Sequence, residues 1–193
     1  MLDYPNLIMI GSGGRNTGKT DLACGIINRF KGNNKIIGLK ITAITNTDGL
    51  CPRGGKGCGV CSSLEGDYLI TEEKNKTSKK DTGRLLNSGA DNVFWLRARK
   101  EKLIDGFIDF DKHIKSMFPD NYIIICESNS LRKIIIPGIF IIIHNTETFK
   151  KSAAEVKNLA DVIIKSGFNI NKIINNIKIT NNSCYYNSNM EKK

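Results

Sequence analysis

Short apolar runs alternate along this chain with segments whose apolar positions recur at helical spacing. The first two apolar runs, residues 6–10 and 35–42, flank a segment 21–30 in which Leu22 and Ile26 begin one apolar stripe. A continuous apolar run is typical of a strand buried on both faces, and strands that alternate with helices are typical of a parallel sheet covered by helices. The pattern therefore predicts an α/β fold in three layers around a mainly parallel central sheet.

The same pattern predicts the elements of the second half. We expect helices at residues 81–86, 101–118, 152–159 and 171–177, and strands at residues 92–97, 122–126, 139–143 and 162–164. Residues 46–80 are polar and rich in Gly, Lys and Cys, which indicates an insertion, and the Asn- and Ser-rich residues 181–193 are expected to fray. A single domain over residues 1–180 is therefore predicted, with a Cys-rich insertion at about 46–80.

A glycine-rich segment lies between the first strand and the first helix. It reads Gly13-Gly14-Arg15-Asn16-Thr17-Gly18-Lys19-Thr20. This is the G-x-x-x-x-G-K-T pattern of the P-loop, the phosphate-binding loop of nucleoside triphosphatases, and its strand–loop–helix context is the one that the motif requires. The sequence therefore predicts a three-layer P-loop NTPase fold that binds GTP or ATP.

The chemistry of triphosphate binding explains the residues in the loop. Backbone N–H groups must converge on the phosphates, and glycines such as Gly13, Gly14 and Gly18 let the chain curl that closely. The N-terminus of the helix favours an anion. Lys19 is expected to contact the β- and γ-phosphates, and the Thr20 hydroxyl is expected to bind Mg²⁺.

A P-loop needs a carboxylate across the sheet to hold Mg²⁺ or its water shell. Glu127 is the first candidate, because it follows the apolar strand 122–126 and ligands bind at the carboxyl ends of parallel strands; the alternative is a solvated acid at a strand end. Asp81 is the second candidate, although a role as helix N-cap explains this Asp equally well. Asp48 is a weaker third.

Composition limits the possible partners and compartment. The formal net charge is +10 over 193 residues, but the basic residues are scattered without interleaved aromatics, so nucleic acid is not the expected partner. The apolar stretch 134–143 is interrupted by Pro137-Gly138 and is too short to cross a membrane. Residues 1–5 show no targeting pattern, and six cysteines without one favour a reducing cytoplasm.

Four segments together resemble a known family. They are the loop 13–20, then Gly38-Leu39-Lys40, then Lys80-Asp81-Thr82-Gly83-Arg84 with Gly89-Ala90, and finally the strand that ends in Glu127. Over roughly residues 6–165 the chain resembles the molybdopterin-guanine dinucleotide biosynthesis adaptors of the MobB type, which are small P-loop proteins that bind GTP and assist nucleotide attachment to the molybdenum cofactor. The resemblance implies GTP binding with weak hydrolysis, a protein client or cofactor-synthesis enzyme as partner, and a homodimer.

The chain departs from that family at three places. Family members commonly have Lys-His after the second strand, where this chain reads Lys40-Ile41, and Glu-Gly after the buried strand, where it reads Glu127-Ser128. The Cys-rich insertion is also absent from the simple adaptor pattern. No Asn-Lys-x-Asp guanine reader is present, and Asn145 is a weak candidate for that role.

Three cysteines of the insertion form a possible metal site. Cys51, Cys58 and Cys61 have the spacing C-x₆-C-x₂-C in a glycine-rich stretch, which suits Zn²⁺ or part of an iron–sulfur cluster. The fourth ligand is open between Glu65, Asp67, Cys184, a second chain and a free position for a delivered metal; the alternative is an exposed loop that binds nothing. By contrast, Cys24 and Cys126 are predicted to be packing residues.

The sequence therefore supports three functional hypotheses. The first is a GTP-binding adaptor of molybdenum cofactor biosynthesis, in which Lys19, Thr20 and Glu127 carry slow hydrolysis and Arg15, inside the loop, is a further candidate to contribute. The second is a metallochaperone-type NTPase whose cysteines release a metal according to nucleotide state. The third is a small-molecule P-loop kinase, for which the scattered arginines offer no clustered lid.

Overall fold

The computed structural model describes residues 1–45, 64–119, 121–145 and 149–187. The strands of this part are β1 (Leu2–Ser12), β2 (Lys35–Ile44), β3 (Tyr68–Glu72), β4 (Asn92–Arg99), β5 (Tyr122–Glu127), β6 (Ile135–His144), β7 (Val162–Lys165), β8 (Ile177–Thr180) and β9 (Ser183–Tyr186). The helices are α1 (Lys19–Phe30), α2 (Asp81–Asn87), α3 (Leu103–Met117), α4 (Lys151–Ala154) and α5 (Ile170–Asn175). Short 3₁₀ turns lie at Lys100–Lys102, Ser130–Lys133 and Lys157–Leu159.

Seven strands form one sheet in the order β3-β4-β2-β5-β1-β6-β7, in which β3 is antiparallel to β4 and the other neighbours are parallel. Successive strand residues point to opposite faces, and each face is covered. Isoleucines of β1, β5 and β6 pack with α1, α2 and α5 on one face, while the alternate residues pack with the phenylalanines of α3 on the other. The predicted three-layer α/β fold with a mainly parallel sheet is confirmed.

The sheet order brings the carboxyl ends of three strands together. In register, Glu127 of β5 lies beside Ile10 of β1 on one side and Lys40 of β2 on the other. All of β5 is buried, and β1 runs into the glycine-rich segment without interruption. The fold therefore places the predicted loop, the predicted carboxylate and Lys40 at one edge.

The stretch 46–80 contains a strand that the sequence reasoning missed. β3 pairs with β4 as the antiparallel edge of the sheet, and its Tyr68 and Ile70 side chains pack on the α3 side. The strand is short and flanked by polar residues, so composition concealed its alternation. Residues 46–63, which include Asp48, Cys51, Cys58 and Cys61, lie outside the described residues.

The strand predicted at residues 139–143 begins earlier than expected, because β6 starts at Ile135 and continues through Pro137-Gly138. Pro137 lies beside Tyr4 of β1, while β7 joins the other edge of β6 only from Ile141 onward. Because β7 pairs with β6 only beyond this position, the N–H that Pro137 lacks is not needed for a hydrogen bond to β7. The register of the pairing with β1 shifts just after Tyr4. A Cβ at Gly138 would lie 2.1 Å from the Pro5 carbonyl oxygen, so the close approach of the two strands here requires glycine.

Two predicted helices are shorter than expected. The chain leaves helical geometry at Val156 (φ −126°), whose side chain is buried on the α3 side, and this divides the predicted helix 152–159 into α4 and a 3₁₀ turn. The last helix begins after Asn169, whose side chain accepts hydrogen bonds from two backbone N–H groups of the first turn. It ends before Ile177, which starts β8.

The expectation that the chain frays from residue 181 is wrong for residues 183–186. These residues form β9, which pairs with β8 in a hairpin, and Cys184 is buried in the core. The turn is Asn181-Asn182, with φ of 49° and 60°. Positive φ at both turn positions matches the twist of a two-residue hairpin, and asparagine tolerates that conformation. The polar composition of this segment thus concealed a turn signal.

No helix within the described ranges is long and apolar enough to cross a membrane.

Candidate nucleotide and magnesium site

The segment between β1 and α1 is curled, as a phosphate-binding loop requires. Ser12 ends β1, Lys19 begins α1, and the residues between them bend without forming regular structure. Asn16 and Gly18 have φ of 51° and 90°, and Gly18 is the N-cap of α1. The left-handed turn at Gly18 directs the chain into a helix whose N-terminal amides face the loop, which is the arrangement that favours an anion.

The end of β6 packs against the outside of the loop. A Cβ at Gly13 would lie 2.9 Å from the Cβ of His144, and one at Gly14 would lie 2.6 Å from Oδ1 of Asn145. Asn145, the weak candidate for reading a guanine base, donates from Nδ2 to the Arg15 carbonyl oxygen at 3.2 Å. Close approach to His144 therefore requires glycine at Gly13, whereas a side chain at Gly14 would displace the amide of Asn145, which contacts the loop from outside.

Asn129, which the sequence reasoning missed, fixes the base of the loop. Its Oδ1 accepts a hydrogen bond from the Ser12 backbone N–H at 2.8 Å, and its Nδ2 donates to the Ser12 carbonyl oxygen at 3.0 Å and to the Ser152 hydroxyl at 3.3 Å. A Cβ at Gly11 would lie 2.4 Å from Asn129 Oδ1, so glycine leaves room for this side chain. The only signal in the sequence was its place as the third polar residue after the apolar strand 122–126.

We predict that Asn129→Ala lowers the free energy of unfolding by about 2–6 kcal/mol, because two buried backbone groups of Ser12 lose their partners at about 1–3 kcal/mol each. Urea unfolding measures this change. The exposed Asn158→Ala is the matched control and should stay within about 0.5 kcal/mol of the wild type. Equal stability of the two variants would contradict the assigned role of Asn129.

The structure brings the three residues predicted to bind Mg²⁺ together. Thr20 lies in the first turn of α1, and its hydroxyl is within hydrogen-bonding reach of the carboxylates of both Asp81 and Glu127. Asp81 also forms an ion pair with Lys40 of β2. The N-cap of α2 is Lys80, and Asp81 is the first helical residue, so the alternative of Asp81 as an N-cap is wrong.

The two carboxylates differ in their electrostatic environment. Burial raises the pKa of Glu127, and the charge of Asp81 raises it further, against the opposing effects of Lys19, Thr20 and Lys40. Burial also acts upward on the pKa of Asp81, but the hydrogen bond and charge of Lys40 outweigh it and lower that pKa. Asp81 is therefore the more readily ionised member of the pair, and Glu127 is the one that gains from a cation.

The residues present fit a magnesium ion. Glu127 is 5% exposed, and its Oε1 has no hydrogen-bond partner within the described part of the chain. A buried carboxylate oxygen is costly without a partner, and a divalent cation supplies one. Mg²⁺ is commonly held by one or two carboxylates together with phosphate oxygens and water, as Asp81, Glu127 and Thr20 would allow. The described residues contain no group of three or more His, Cys, Asp or Glu placed to hold a metal by themselves.

The loop also carries a buried hydroxyl without a partner. Thr17 is 2% exposed, and among the described residues its Oγ1 makes no hydrogen bond. Lys19 Nζ donates to the Ser12 hydroxyl at 3.2 Å. Arg15 is exposed at the loop surface, and Arg84 forms an ion pair with Asp21 of α1. The loop therefore offers a hydroxyl and a cation in addition to its amides.

The three cysteines in the described part of the chain pack with the two hydrophobic cores. Cys184, one candidate for the fourth ligand of the Cys-rich stretch, is 4% exposed in the core, and burial raises its pKa to about 12. A role for Cys184 as fourth ligand stays a prediction, because Cys51, Cys58 and Cys61 lie outside the described residues. Glu65 and Asp67 are exposed. Cys24 and Cys126 pack in the two cores as expected.

Comparison with protein-family models, with curated proteins and with solved structures finds no match for this chain.

Proposed function

We propose that this protein binds a nucleoside triphosphate with Mg²⁺ at the loop 13–20, hydrolyses it slowly, and acts as a GTP-dependent adaptor in molybdenum cofactor biosynthesis. One observation carries the nucleotide part of the proposal. At the start of α1, beside a curled loop, the Thr20 hydroxyl and the Lys19 charge both act to lower the pKa values of Asp81 and Glu127, two carboxylates that come from other elements.

Each residue has a separate task in this proposal. The loop amides and Lys19 bind the phosphate oxygens, and Thr17 adds a hydroxyl. Thr20, Asp81 and Glu127 hold Mg²⁺, which when bound offsets negative charge on the phosphates. Arg84 is engaged by Asp21, so we expect no contribution from it and a slow hydrolysis.

The pathway assignment depends on the family resemblance. The segments that carry it, Gly38-Leu39-Lys40 and the block that begins at Lys80, are distant in sequence, yet their Lys40 and Asp81 form an ion pair beside Thr20. Because both segments meet beside the proposed nucleotide site, they support the inference that the chain shares the function of the family it resembles. GTP is the nucleotide it implies, with ATP as the alternative.

Calorimetric titration tests the nucleotide assignment. GTP, ATP and GMP are titrated with Mg²⁺ and again with EDTA. We expect a triphosphate to bind at least ten times more tightly with Mg²⁺ than with EDTA, and GMP to bind weakly, because Lys19 and the metal act on the outer phosphates. Absence of binding by both triphosphates would refute the assignment.

A reconstituted reaction tests the adaptor role separately. A purified transferase that attaches guanylate to molybdopterin is assayed with and without the protein, and stimulation by wild type but not by Lys19→Ala would support the proposal. Nucleotide binding without stimulation would leave the P-loop assignment intact and remove the pathway.

The spacing of Cys51, Cys58 and Cys61 favours a second candidate, a nucleotide-dependent metallochaperone. Metal analysis of purified protein decides between the two. Near-stoichiometric zinc or iron that is lost in the Cys58→Ser, Cys61→Ser double variant would favour delivery, and metal-free wild type would exclude it.

A further inference from the structure

Two lysine ammonium groups converge on one hydroxyl at the base of the loop. Ser12 is 1% exposed and donates its hydroxyl hydrogen to the Gly14 carbonyl oxygen at 2.7 Å. Its oxygen therefore acts as acceptor, for Lys19 Nζ at 3.2 Å and for Lys150 Nζ at 3.3 Å. Lys19 belongs to the motif, whereas Lys150 comes from 138 positions away and no motif predicts it.

Backbone contacts hold Lys150 at the loop independently of its side chain. Its N–H donates to the Gly13 carbonyl oxygen at 2.8 Å, and the Gly13 N–H donates to the Ile143 carbonyl oxygen at 2.8 Å. Phe149 stacks on His144, with ring centroids 5.1 Å apart, and lies against Gly13. The segment that carries Lys150 is thus attached to the first residue of the loop, and the side chain extends from a fixed origin.

The charges indicate what this pair would bind. Both ammonium groups lie within 3.3 Å of the same oxygen, so two positive charges are close together around a neutral hydroxyl. The charges of Glu127 and Asp81 interact with Lys19 from the side of β5 and α2. Lys150 reaches Ser12 from the other side, beyond the end of β6. An anion between the two cations would interact favourably with both.

We propose that Lys150 is a second phosphate-binding cation, which contacts the outer phosphates of the bound triphosphate together with Lys19. The inference rests on the proposed nucleotide function. The lysine of a P-loop reaches the β- and γ-phosphates, so a cation that shares its hydroxyl partner faces the same groups. In hydrolysis, water attacks the γ-phosphorus, the bond to the β–γ bridging oxygen breaks, and the diphosphate and orthophosphate leave with one proton released. Lys150 stays protonated and stabilises the charge on the outer oxygens, the role that an arginine supplied by a partner has in other P-loop proteins.

The test compares triphosphate with diphosphate binding in variants of Lys150. In Lys150→Ala we expect triphosphate affinity to fall about 10-fold, diphosphate affinity to fall less, and kcat to fall about 10- to 100-fold. Lys150→Arg should keep most of the binding because the charge remains. Lys150→Gln keeps a hydrogen-bond donor for Ser12 without the charge, and should behave like the alanine variant even if alanine disturbs the fold. The exposed neighbour Lys151→Ala is the matched control and should match wild type.

The alternative is that Lys150 only supports the loop. In that case Lys150→Gln would keep the wild-type ratio of triphosphate to diphosphate affinity and the wild-type kcat, and the proposal would be wrong. The two levels of failure are distinguishable. Wild type without any nucleotide binding overturns both this inference and the proposed function, whereas nucleotide binding that is indifferent to Lys150 overturns the inference alone.

Discussion

Lys19→Ala is expected to weaken triphosphate binding at least 100-fold while leaving the fold intact. Donors that act on phosphate charge inside a partly enclosed site are worth about 3–4 kcal/mol, which corresponds to that loss. Within the described part of the chain, this side chain donates a hydrogen bond to the Ser12 hydroxyl, which keeps its own donor bond to Gly14. The free energy of unfolding should therefore change by less than about 1 kcal/mol.

Calorimetry with Mg²⁺ and GTP or ATP measures the binding, and urea unfolding measures the stability. Lys31→Ala is the control, since it removes an exposed ammonium at the far end of α1 from the loop. It should bind like wild type. Undiminished affinity in Lys19→Ala would refute the nucleotide site.

We expect the Glu127→Gln variant to be more stable than wild type without Mg²⁺ and nucleotide, and less stable than wild type when both are bound. Without them the variant should be more stable than wild type by about 1 kcal/mol or more, because a buried carboxylate with an unpartnered oxygen is replaced by a neutral amide. At saturating Mg²⁺ and triphosphate, wild type should be the more stable, since ligand at 100 times its Kd contributes about 2.7 kcal/mol.

The pH dependence gives the sign of this effect independently. The pKa of Glu127 is raised in the folded protein, so between the ordinary and the raised pKa the folded state holds a proton that unfolding releases. The contribution of Glu127 to the free energy of unfolding of wild type is therefore lost as pH rises from the ordinary pKa of Glu through the raised value. The advantage of Glu127→Gln should grow across that window and stay constant above it.

Urea unfolding at several pH values, with and without Mg²⁺ and triphosphate, measures both effects. The exposed Glu101→Gln serves as control, and its difference from wild type should be small under every condition. If Glu127→Gln keeps full Mg²⁺-dependent nucleotide binding, Glu127 is not a magnesium ligand.

The parts of the site that sequence alone predicted are those with strong local rules. The loop follows from glycine spacing between an apolar strand and an amphipathic helix, and Glu127 follows from its place at the end of an apolar strand. Both lie where those rules place them. Only the structure shows that Asp81 is not an N-cap, because Lys80 takes that position and Asp81 forms an ion pair with Lys40 of β2.

The parts that sequence missed depend on contacts across long separations. Asn129 and Lys150 meet Ser12 from 117 and 138 positions away, and each looks like an ordinary polar residue where it stands. β3 and β9 were missed for another reason. Their strands are short, and polar neighbours dominate the local composition, whereas pairing with β4 and β8 decides their conformation.

The double hydrogen bond from Asn129 to Ser12 has a consequence for how this protein can change over evolution. The same tripeptide, Glu127-Ser128-Asn129, supplies the carboxylate and anchors the loop base. Inserting or deleting one residue there would shift both functions at once. We therefore expect the length of this tripeptide to be kept in homologous chains even where the identity of Ser128 drifts.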